Sequence, residues 1–256
     1  MKQISLIIKC AFIAGSYCSF VYGQDNNSHA QVSMADSSSQ QNALNNTLKF
    51  FSASIGKQSP LFNGAEYYFY DPHIKGNAYF LEARAFVPGA VFYDGELFTG
   101  VPMLYDIYSD KVVVLLYNHF SKFSLVNEKV KSFDLLDHHF VNINADTLVN
   151  NSIIKSGFYD ELYNGKTQVL VKRSKNIQTA TSGILGPESY FNLVKNYYLR
   201  KNKVYYSITG KGSMIDVLKD RKKQIQQYIK ANQIKFRRDP EEAMVKIASY
   251  YDHLTN

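Results

Sequence analysis

The chain has 256 residues, with 29 Lys and Arg against 22 Asp and Glu, and 45% of it is hydrophobic. Its aromatics are 20 Tyr and 17 Phe with no Trp, a bias that suits pleated, half-buried surfaces. Both cysteines, Cys10 and Cys18, stand within the first 23 residues, so the remainder cannot be a thiol enzyme, a thiolate-metal protein or a disulfide scaffold.

Residues 1–23 read as a secretory signal peptide. They carry Lys2 and Lys9 and no acid, then an apolar run from Cys10 to Val21, and they end on Val21-Tyr22-Gly23. An uncleaved anchor is the competing reading, but the run is short for a span of roughly 20 residues and Lys9 interrupts it. Neither cysteine follows a small residue, as a lipoprotein signal would require. Cleavage after Gly23 would start the mature chain at Gln24 and remove two lysines, leaving 27 basic against 22 acidic residues, a net of +5. The expected compartment is the periplasm, the outer membrane or the medium. So mild a charge suits an anionic surface but is too weak to argue for nucleic acid, which export makes the least expected partner.

Residues 24–47, rich in Asn, Gln, Ser and Asp, carry too little apolar surface to offset ordering entropy and read as a disordered leader. From 48 to 210 short aromatic and β-branched runs alternate with Gly, Pro, Asn and Asp, the pattern of an antiparallel β domain. Asn77 to Val87 alternates with period two and predicts a strand. Lys111–Tyr117 is apolar on both faces and predicts a central strand. Asp94-Gly95 and Asn164-Gly165 each predict a hairpin with a two-residue type I′ turn. The stretch Ser182–Glu188 breaks the pattern and reads as the start of a different part, followed by a Tyr-rich hairpin from Val194 to Thr209.

Residues 211–256 predict two helices packed on the sheet. Ser213 is placed to cap the first, which runs to about Lys230 with Met214, Val217, Leu218, Ile225, Tyr228 and Ile229 on one stripe. Asp239-Pro240-Glu241-Glu242 starts the second, which buries Met244, Ile247, Ala248, Tyr251 and Leu254. The fold class expected is therefore α+β: a curved antiparallel meander followed by two C-terminal helices.

Three segments resemble a group of exported bacterial β-rich proteins with a basic helical tail. They are VPMLYDIYSDKVVVLLY (101–117), NYYLRKNKVYYSI (196–208) and DVLKDRKKQIQQYIKANQIKFRRDPEEAMVKIASYYDHL (216–254). The resemblance implies a fold and a compartment. It brings no activity, catalytic residue or ligand.

Chemistry-bearing residues are few. His138 and His139, with Asp134 and Asp137, are the only group of metal-ligand types, but neighbours on a strand point to opposite faces and cannot easily share an ion. Asp94 with Glu96, and Asp160 with Glu161, are either turn residues or the acid and base of a hydrolase acting on glycans or esters. The chain has no GxSxG, P-loop or dinucleotide fingerprint, so no cofactor is expected. Lys211 to Arg238 holds nine Lys and Arg against two acids. This is either the solvated back of amphipathic helices or a patch for an anionic surface, with Lys222, Lys223, Arg237 and Arg238 as its candidate contacts. Taken together, the residues suit a non-enzymatic envelope protein that binds or scaffolds, using an aromatic sheet face or an exposed edge. An envelope protein, a glycan or an anionic lipid surface is its expected partner. The hydrolase stands as the alternative.

Overall fold

A computed structural model describes residues 41–47, 60–148, 153–182 and 186–255. The expected signal peptide and most of the polar leader lie outside the described residues. Residues 41–47 are helical (α1) and exposed, and they belong to a unit that ends at Phe50; Phe51–Asn256 form a second compact unit.

That second unit is α+β. Its eleven strands form one antiparallel sheet: β1 (Ala65–Glu66), β2 (Val87–Tyr93), β3 (Glu96–Asp106), β4 (Lys111–Leu115), β5 (Lys122–Ser124), β6 (Val130–Leu135), β7 (His138–Ile143), β8 (Gly157–Asn164), β9 (Gln168–Ser182), β10 (Gly186–Lys201) and β11 (Val204–Ile208). The spatial order is β1-β5-β4-β3-β2-β6-β7-β8-β9-β10-β11. A single meander was expected. Instead the chain returns after β5 and lays β6 against the free edge of β2, so two meanders diverge from that pair.

The sheet curls strongly. Lys175 of β9 donates its backbone N–H to Ile107 just after β3, although these strands are not neighbours in the sheet. Curling brings Tyr105, Phe133, Phe140 and Phe158 into one buried cluster, with Phe133 stacked on Phe140 at 4.7 Å and Tyr105 edge-on to both. Val112, Val113 and Val114 of β4 are all fully buried, as a strand covered on both faces requires.

Turn chemistry decides most hairpins. Asp94-Gly95, Leu136-Asp137 and Asn202-Lys203 all have positive φ and link paired strands by two residues, the type I′ pattern. The Asn164-Gly165 hairpin forms, but not with the expected turn. Asn164 pairs with Gln168, leaving three linking residues, and neither Asn164 nor Gly165 has positive φ. Two further expectations fail. Asn77–Val87 is not a continuous strand: Tyr79 makes one isolated bridge to Asp106, Phe80–Glu82 form a 3-10 turn with Leu81 and Glu82 at positive φ, and β2 starts only at Val87. Ser182–Glu188 is no boundary, since β9 and β10 pair in continuous register from Ser182↔Gly186 to Gln168↔Arg200.

Helices cover the β8–β11 end. They are α2 (Lys211–Val217), α3 (Lys222–Ala231) and α4 (Pro240–Leu254). The expected long first helix is broken at Leu218, whose fully buried side chain sits between α2 and a 3-10 turn at Lys219–Arg221. Ser213 lies at the third helical position rather than at the cap, accepting from the Gly210 N–H. Asp239 caps α4 as expected, accepting from the Glu242 N–H. The predicted stripes meet: Met214, Leu218, Ile225, Met244, Ile247 and Ala248 are buried together against Val169, Leu199 and Ile208, while Val217, Tyr228 and Leu254 are only partly buried. No helix among the described residues is long and apolar enough to cross a membrane.

Candidate functional site

His138 and His139 begin β7 immediately after the Leu136-Asp137 turn, and strand alternation sends them apart. His138 Nδ1 lies 2.8 Å from Asp160 Oδ2 on the inner face, and His139 Nδ1 lies 2.6 Å from Asp134 Oδ1 on the outer face. The two rings thus meet different carboxylates, and no group of three metal-ligand side chains occurs among the described residues.

The Asp160 and Glu161 pair of the hydrolase reading is divided by the same alternation. Asp160 is buried and held by Arg173, whose Nε is 2.8 Å away, while Glu161 turns to Gln168 and His139. Asp94 sits in an exposed turn and pairs with Lys129 at 2.7 Å.

Arg173 is the centre of a buried ion network that the sequence reading missed. It joins Asp160 to Glu241 of α4, and Lys195 joins the same carboxylate at 2.8 Å. Burial works against ionisation of Glu241, but the hydrogen bonds from Arg173 and Lys195 outweigh it and bring its carboxyl down to about 2. Lys172, on the opposite face, bonds Asp110 at 2.6 Å, and burial lowers its pKa. Asp110 also accepts from the Tyr105 hydroxyl. The available signal was the run Lys172-Arg173-Ser174-Lys175 inside a strand, where each cation must find a buried partner.

The helical layer carries the basic surface. Lys222, Lys223, Arg237 and Arg238 are all exposed, as are Lys211, Lys219, Lys230 and Lys235. Arg221, the ninth cation of this segment, is half-buried, and none of the nine forms an ion pair among the described residues. Of the two acids in the segment, Asp220 is taken by Lys201 at 2.6 Å, which leaves Asp216 alone among them. The layer also holds an open groove of about 620 Å³ in which Lys211, Lys230 and Lys235 flank Ile215, Ile229 and Ile234.

An aromatic cleft of about 610 Å³ lies on the far side of the β3–β4 end. Its cover is the irregular segment from Tyr67 to Phe86. Ile107 N–H reaches Ala78 O, and Lys75 exchanges backbone bonds with Ser189 and Phe191 of β10. Tyr70, Tyr108 and Phe191 meet edge to face at 5.2–5.6 Å. Behind them Asp106, fully buried, accepts from the hydroxyls of Tyr67, Tyr70 and Ser109 and from two backbone N–H groups. Burial raises the pKa of both tyrosines, so their hydroxyls stay protonated and committed as donors. Lys175, only 2% exposed, fastens the cover from below by bonding the carbonyls of Asn77 and Tyr79 and the carboxylate of Glu82. Tyr105, Phe133, Phe140 and Phe158, by contrast, are packed in the interior.

No protein-family model, curated protein or solved structure matches the chain. What it does must therefore be read from its own residues.

Proposed function

We propose that this chain is an exported bacterial envelope protein that binds or scaffolds rather than catalyses, and that its basic helical layer rests on an anionic surface. The observation that carries this reading is the set of nine cations between Lys211 and Arg238 with no ion pair among the described residues. Among the other described cations about half, Lys129, Lys172, Arg173, Lys175, Lys195 and Lys201 among them, meet a carboxylate. A merely solvated helix back interleaves acids with its bases, because like charges repel. Near an anionic leaflet each basic side chain is worth about 1 kcal/mol, so several acting together give useful affinity at low salt.

The test is sedimentation with vesicles of zwitterionic phospholipid, with and without an anionic phospholipid. The full mature chain should co-sediment with the anionic vesicles only. The variant carrying Lys222→Gln, Lys223→Gln, Arg237→Gln and Arg238→Gln should lose at least about tenfold in affinity. Equal binding of variant and native protein would overturn the reading. Export is tested separately by intact mass, which should start the secreted chain at Gln24.

A further inference from the structure

We infer that the cleft between the Tyr67–Phe86 cover and Phe191 binds a small apolar organic acid, its hydrocarbon body against the aromatic wall and its carboxylate on Arg84. A cleft of about 610 Å³ is in the range of small-molecule sites. Its wall is apolar and aromatic, from Phe69, Tyr70, Ile74 and Phe191, and Phe69 is 55% exposed.

The polar groups around it select the ligand. Tyr70 and Tyr79 line the cleft as rings, because their hydroxyls are bonded inward, to Asp106 and to Tyr67. Asn77 is spent on the Ala83 carbonyl and the Tyr79 N–H. Of the three charged residues on the lining, Asp71 is bonded to His73 and Glu82 to Lys175. Arg84 is exposed and makes no ion pair among the described residues. The cleft thus offers ring faces and one guanidinium, a planar donor that matches a carboxylate in two-point contact. The carboxylates of Asp71 and Glu82 can only accept, so Arg84 is the one charged donor on the lining. Lys175 ties the cover to β9 through Asn77, Tyr79 and Glu82. The site does not depend on the basic helical layer.

The experiment titrates the full mature chain with 2-naphthoate and with its neutral counterpart 2-naphthamide, followed by saturation-transfer NMR and calorimetry. Naphthoate should bind saturably at one site and about tenfold more tightly than the amide, the margin of a single charge-assisted contact. Arg84→Gln should abolish that preference and leave the amide unaffected. Phe69→Ala, at a ring that is 55% exposed, should weaken both ligands while the thermal unfolding midpoint stays near the native value. The Lys222, Lys223, Arg237 and Arg238 variant should bind naphthoate like the native chain, which separates this site from the membrane-surface reading. Absence of saturable binding, or a carboxylate preference that survives Arg84→Gln, would overturn the assignment.

Discussion

Asp252, in the last turn of α4, reaches across to Thr167 and accepts both its backbone N–H and its hydroxyl, at 3.0 and 2.8 Å. The same carboxylate accepts from the Tyr163 hydroxyl, so one helical side chain clamps the end of β8 to the β8–β9 turn. Gly165 is required there for space: a Cβ would overlap Asp252 Oδ2 and the Tyr163 hydroxyl.

Asp252→Ala should therefore leave buried donors on Thr167 unpaired and cost about 2–3 kcal/mol. Gly165→Ala should be destabilising as well, by steric overlap rather than backbone strain, because Gly165 does not have positive φ. Urea midpoints of both variants check this. A neutral Gly165→Ala would mean that the clamp yields easily.

The core and the basic face should respond in opposite ways. Leu218 and Ile247 are fully buried, so replacing either with Ala should cost about 2–5 kcal/mol. Neutralising Lys222, Lys223, Arg237 and Arg238 should change stability little, since exposed charges contribute little. Thermal unfolding of the three variants would expose a reversed assignment of faces.

Arg173→Met should be among the most damaging single changes, at about 3–5 kcal/mol, because it leaves buried Asp160 with only His138 beside it and Glu241 with only Lys195. Adding Asp160→Leu and Glu241→Leu should recover most of that loss, as removing every charge also removes the desolvation cost. A triple variant as unstable as Arg173→Met alone would show that the network contributes more than mutual compensation.

Acid should dissolve part of this contact. The folded pKa of Glu241 lies near 2, below its ordinary 4.5, so its contribution is complete above about 4.5 and lost as pH falls toward 2. Native stability should fall through that window by no more than about 3 kcal/mol on this account, and Glu241→Gln should show a shallower decline. Urea titrations across the window measure the difference. Parallel curves for the two proteins would remove Glu241 as its source.

Short-range signals were legible in the residues. Asp94-Gly95 marks its own type I′ turn, Asp239-Pro240 starts α4, and the stripes of α3 and α4 announce their buried faces. Each depends on backbone preference or on periodicity within a few residues, and neither needs the rest of the molecule. The β-rich class and the basic character of the helical segment follow in the same way.

Tertiary structure decided the rest. Asn164-Gly165 has the composition of a type I′ turn, yet Asp252, more than eighty residues later, holds Thr167 and sets another geometry. Asn77–Val87 alternates like a strand, but Lys175 gathers its carbonyls from below and bends it into the cover of a cleft. Local pattern states which conformations are cheap. It cannot state which distant partner will outbid them, and in this chain those partners are buried charges whose need for hydrogen bonds exceeds the preference of any single turn.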